Sequence, residues 1–242
     1  MKLNRSGLTL GLVAALFLPD AGRAQPITAY RVGWADGASV AGAGLLFLLP
    51  DWLGLPHLVG KNCNPCNSAN LLPIDRWTVG SGIGAADGAS TLLGAAVGGS
   101  VAWLTLRGLP KEQWHGNFAT LANSATITAA ANEWLKVFFH RNRPVMYTSA
   151  AAQAGGVVDN HLSMPSMHAS LAFAAATSYW VLADRLRLPN RKRNTLLLFG
   201  GAVGVGALRV IAAKHFPTDI LAGAALGMSI GWAVPMVHPT IP

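Results

Sequence analysis

Apolar residues gather along the chain into six runs, at 39–49, 88–106, 116–132, 169–183, 194–208 and 220–237. The fifth continues past Arg209 to Ala213, and the first is closed off by Pro50, Asp51 and Pro56. None shows the period-two alternation of a half-buried strand, and all are rich in Ala, Gly and Leu. The pattern predicts an all-α chain, a helical bundle of about six helices. Each run is near the lower limit of the ~20 residues that cross a bilayer. Two settings therefore fit: a membrane-embedded bundle, which we favour, and an unusually apolar helical domain in solution. Nothing resembles a linker or an internal repeat, so residues 25–242 are expected to form a single domain.

Residues 1–24 read differently. Lys2 and Arg5 precede a short apolar stretch, and Ala21-Gly22-Arg23-Ala24 offers small residues where a signal peptidase cuts. The expectation is a signal peptide cleaved after Ala24, the alternative an N-terminal anchor.

Composition sharpens the picture. Hydrophobic residues make up 52% and charged residues 12%, against about 25% charged in ordinary soluble domains. The net charge is +8. Arg185, Arg187, Arg191, Lys192 and Arg193 cluster without interleaved aromatic residues, between two apolar runs, so a nucleic-acid partner is not expected. The only cysteines stand in Cys63-Asn64-Pro65-Cys66. A zinc site would need more ligands than the nearby His57, so in an exported chain a Cys63–Cys66 disulfide is expected.

Three segments carry chemistry. In the first, Lys136 and Arg143 stand seven apart, a helical spacing, with Pro144 expected to end the helix at Arg143. In the second, Pro165-Ser166-Met167-His168 precedes an apolar run. Ser166 suits an N-cap, free N–H groups at a helix start favour an anion, and His168 could donate a proton to a leaving oxygen. In the third, Arg209 is a lone charge in an apolar stretch, followed by His215-Phe-Pro-Thr-Asp219. Thr218 is expected to cap the next helix. Asp219 could hold the proton on one nitrogen of His215, leaving the other bare for nucleophilic attack. Lys136, Arg143, Ser166 and Arg209 suit the three equatorial oxygens of a transferring phosphoryl group. No acidic cluster suited to Mg²⁺ appears, and neither a metal nor another cofactor is expected.

Lys136-x6-Arg143-Pro144, Pro165-Ser166-x-His168 and Arg209-x5-His215-x3-Asp219 resemble, in order and separation, the signature motifs of the type 2 phosphatidic acid phosphatase and vanadium haloperoxidase superfamily. The resemblance covers residues 136–219. It implies that Lys136, Arg143 and Arg209 bind phosphate and that Ser166 bonds a phosphate oxygen. It implies further that His215 attacks phosphorus to form a phosphohistidine, with Asp219 orienting it, and that His168 protonates the leaving group. Two positions depart from the family pattern: Met167 stands where Gly is usual, and Leu208 where Ser is usual.

Charge placement gives a sidedness. If the helices span, the positive-inside rule sets the 185–193 loop, with Arg107 and Lys111, in the cytoplasm and all three motifs on the periplasmic face. A cleaved signal conflicts with six spans in this orientation, and the prolines near 39–58 suggest that this segment lies along the surface. The expected function is a metal-independent phosphatase at the periplasmic face of a bacterial-type inner membrane, acting on a phosphorylated lipid or small phosphate ester. The alternatives are a soluble periplasmic acid phosphatase, a vanadate-dependent peroxidase on the same scaffold, and a non-catalytic protein that binds or transports phospholipid.

Overall fold

Polar and helix-breaking residues between the apolar runs decide where the chain turns. A computed structural model describes residues 29–59, 63–80, 82–107 and 109–241. The signal peptide expected at 1–24 lies outside them. The described residues are mainly helical, with six long helices that we label α1 (Trp34–Trp52), α2 (Gly84–Leu106), α3 (Trp114–Phe139), α4 (Met167–Arg185), α5 (Arg191–Ile211) and α6 (Pro217–Val237). Each contains one of the six apolar runs. Two residues at either end of the described chain, Ala29–Tyr30 and Thr240–Ile241, form a short antiparallel bridge.

The first helix takes in most of the segment 39–58. Asp36 near its start accepts a bond from Asn123 of α3 at 3.2 Å, and the Leu46 carbonyl accepts one from Trp134 of α3 at 2.9 Å. α1 therefore runs beside α3 in the same direction, along its length, instead of lying across an end. Pro50 sits in the last turn and Pro56 beyond it, so neither interrupts that run.

The six helices alternate in direction. The end that holds Asp87, Lys136, His168, Arg209 and Asp219 is opposite the end that holds Arg107, Lys111, Arg185 and His238. α4 is the hub, packing on α2, α3, α5 and α6. Its Ala169, Ala176 and Tyr179 are fully buried against neighbours such as Val101, Leu198, Ala202 and Val205, and its Val181 and Leu182 are fully buried as well.

α4 and α6 approach each other backbone to backbone. A Cβ at Gly223, Gly227 or Gly231 of α6 would fall on the carbonyl oxygen of Ser166, Ser170 or Ala174 of α4. Only glycine allows the two backbones this separation. Gly98 of α2, by contrast, faces open space.

Gly227→Ala is therefore expected to destabilise the bundle by about 1–3 kcal/mol. Gly98→Ala should be neutral or raise stability by up to about 1 kcal/mol through helix propensity. Thermal unfolding of the two variants in the same detergent checks the contrast.

Candidate active site

The three sequence segments converge at one end of the bundle. α3 stops at Phe139, where His140 takes a left-handed conformation with φ 48° and its N–H caps the Lys136 carbonyl. The helix thus ends four residues before Arg143, earlier than the sequence suggests. Arg143 reaches the site from an extended loop, not from the helical face of Lys136. That loop is held by backbone bonds from Ser163 N to the Arg141 carbonyl at 2.7 Å and from Arg143 N to the Asn160 carbonyl at 2.8 Å. Between them, the Asn142 side chain donates toward the sulfurs of Cys63 and Cys66, which are joined in a disulfide.

Lys136, Arg143 and Arg209 are all buried, and each rests against a carboxylate. Lys136 pairs with Glu133 at 3.1 Å, Arg143 with Asp159 at 2.8 Å, and Arg209 with Asp87 of α2. Lys214 joins Asp87 at 3.3 Å. The Nε atoms of Arg143 and Arg209 and the Oγ of Ser166 are buried and have no hydrogen-bond partner among the described residues. Ser166 does occupy the N-cap position of α4, but its hydroxyl does not bond the helix N–H groups. That leaves the hydroxyl available to an incoming oxygen.

His168 lies in the first turn of α4, with Nε2 3.1 Å from the Thr91 hydroxyl of α2. His215 is 98% buried in the turn between α5 and α6. Its Nδ1 lies 2.8 Å from the Ser163 carbonyl oxygen and 3.8 Å from Asp219 Oδ2. The carbonyl is the closer acceptor, a backbone group that no motif could disclose. Because a carbonyl can only accept, the proton sits on Nδ1 and Nε2 keeps its lone pair. Asp219 stands behind this pair, taking the Ser163 hydroxyl at 2.6 Å and the Phe216 N–H at 2.8 Å. The α6 cap is that Phe216–Asp219 arrangement; Thr218, expected as the cap, lies inside the first turn.

Burial lowers the His215 imidazole to about 4 from its ordinary 6.5, with the Arg143 and Arg209 charges adding to it and Asp219 opposing. The ring is neutral at neutral pH, as a nitrogen nucleophile requires. Among the described residues no three His, Cys, Asp or Glu side chains are grouped as a metal site would need. Lys136, Arg143 and Arg209 place fixed positive charge at the site.

The sequence did not single out Asp75, Asp87, Thr91, Arg141 or Ser163. Arg141 stood inside the first segment, and its signal was its charge in a chain with only 18 lysines and arginines.

A family model described as the PAP2 superfamily matches residues 117–241. No curated protein and no solved structure matches the chain.

Because protonation of Nε2 is disfavoured by burial, the His215 ring should stay neutral as pH falls through 6.5 and take up its proton only near 4. Nitrogen-15 shifts of the labelled imidazole, followed across that range, check this; a midpoint at 6.5 or above refutes it.

Proposed function

Since the chain belongs to the PAP2 superfamily, whose members are phosphatases, we propose that it hydrolyses a lipid phosphate or diphosphate through a phosphohistidine formed on His215. The observation that carries this reading is the fixed tautomer: Nδ1 is engaged by the Ser163 carbonyl, and Nε2, near the Arg143 and Arg209 charges, has no hydrogen-bond partner among the described residues.

The chemistry follows from the side chains. Lys136, Arg143, Arg209 and Ser166 Oγ bind the non-bridging oxygens, where charge builds during transfer. The Nε2 lone pair of His215 attacks phosphorus in line with the ester oxygen. The N–P bond forms as the P–O ester bond breaks, and His168, in the imidazolium form that the negative charge of the bound phosphate favours, gives its proton to the leaving oxygen. His168 then takes a proton from water, which attacks the phosphohistidine. The N–P bond breaks and inorganic phosphate leaves. The Ser163 carbonyl and Asp219 stabilise the imidazolium character that develops on His215 during the first step.

A lipid substrate is supported by the surface. Helices α2, α5 and α6 are long and apolar enough to cross a membrane. Leu92, Leu196, Leu197 and Leu221 point outward from them. Exposed Trp34 and Trp103 mark one end of the bundle and Trp52 and Trp77 the other, as aromatic belts do at membrane interfaces. Arg107, Lys111 and the 185–193 cluster lie at the end away from His215, so the positive-inside rule favours a site facing the periplasm.

The purified protein is expected to release phosphate from a lipid phosphate in mixed micelles, with EDTA leaving the rate unchanged. His215→Ala should lower kcat by at least about 10³-fold, the scale seen when a nucleophile is removed. Wild-type turnover that survives His215→Ala would sink the mechanism.

A further inference from the structure

The short helix Pro73–Arg76 lies outside the segment 117–241, yet its Asp75 is fully buried against the start of α6. Oδ1 of Asp75 accepts the Thr218 backbone N–H at 3.1 Å. Oδ2 accepts the Thr218 hydroxyl and Arg141 Nη2, each at 2.7 Å. Thr218 is the second residue of α6, where a backbone N–H has no partner inside the helix. Asp75 thus caps α6 from elsewhere in the chain, at the helix end where the dipole favours negative charge.

Arg141 couples this cap to the reacting ring. Its Nη1 bonds both Thr218 Oγ1 and Asp219 Oδ1, and its guanidinium lies 4.5 Å over the Phe216 ring. One cation therefore serves two fully buried carboxylates, Asp75 and Asp219. Asp219 in turn takes the Ser163 hydroxyl, and the Ser163 carbonyl takes His215 Nδ1. Every link between residues in this series is a direct hydrogen bond or ion pair.

We propose that Asp75 is a positioning residue for His215: acting through Thr218 and Arg141, it sets the place of Asp219 and of the Ser163 carbonyl that orients the ring. This rests on the reading of His215 as the nucleophile. Asp75 touches neither His215 nor the phosphate-binding cations, so its loss changes how the ring is aimed and not how tightly phosphate is held. Asparagine has nearly the same shape but sets an NH₂ against donors, either Thr218 or Arg141. A small misplacement of a reacting group, of about 1 Å, can cost about 10²-fold in rate.

The test compares wild type, Asp75→Asn, Asp75→Glu and Thr218→Val as full-length protein in lipid phosphate micelles, each checked for a cooperative melt. Asp75→Asn is expected to lower kcat about 10- to 100-fold with KM within about threefold. Asp75→Glu, which restores the charge, should recover part of that loss. In a Thr218→Val background the Asp75→Asn change should cost less than in wild type, because the Thr218 hydroxyl is one of the three donors that Asp75 holds. If Asp75→Asn does not fold, Thr218→Val alone carries the test, with the same split between kcat and KM. A folded Asp75→Asn with kcat within about twofold of wild type, or a loss borne by KM, overturns this proposal while leaving the phosphatase reading intact. A wild-type protein without turnover on any phosphate ester overturns both.

Discussion

The backbone-to-backbone contact between α4 and α6 holds the rest of the catalytic end in place. Gly223, Gly227 and Gly231 let α6 lie against the Ser166, Ser170 and Ala174 carbonyls, and the Ser166 N–H closes the top of the contact by donating to the Asp219 carbonyl at 3.1 Å. Ser166 and His168 are fixed to one helix, Asp219 to the other, and His215 precedes the second by two residues. Their separation is therefore set by main chain, the stiffest part of the molecule, and not by side-chain packing that could relax. Asn132 of α3 bonds the Ser170 hydroxyl at 2.7 Å and ties the helix of Lys136 to the same pair.

Around that rigid pair the remaining groups come from loops, from α2 and from α5, which carries Arg209. α2 brings Asp87 and Thr91, the loop after α3 brings Arg141 and Arg143, and the segment before α4 brings Ser163. Charge is concentrated here because a chain so poor in charged residues has few other uses for it. Of ten acidic residues, Asp75, Asp87, Glu133, Asp159 and Asp219 all pair with a cation at this end.

That scarcity explains what the sequence disclosed. The six helices were legible because each is a long apolar run, and Arg209 because a lone charge inside one demands a reason. The three motifs were legible because their residue types and spacings are specific. The path of the chain between motifs was not. The end of α3 depends on His140 adopting a left-handed turn, and the acceptor for His215 is a carbonyl, which every residue possesses. Nothing local marks Asp75 or Asp87, because Thr218 and Arg209, which they hold, lie more than a hundred residues away. The direction of α1 turned on contacts with α3 that its own prolines do not encode.

The unpartnered donors have a thermodynamic meaning. Ser166 Oγ and the Nε atoms of Arg143 and Arg209 are buried without a partner among the described residues, a state that costs about 1–3 kcal/mol for each group. The fold tolerates this debt because α4, α5 and the disulfide-tied loop hold the donors rigidly. An oxyanion that meets them restores hydrogen bonds that folding itself left unmade. Ligand and chain then share one equilibrium, in which each tenfold rise in oxyanion above its Kd deepens the folded well by about 1.4 kcal/mol. Read this way, the anion is the last structural element of the bundle, added after the chain has closed around its place.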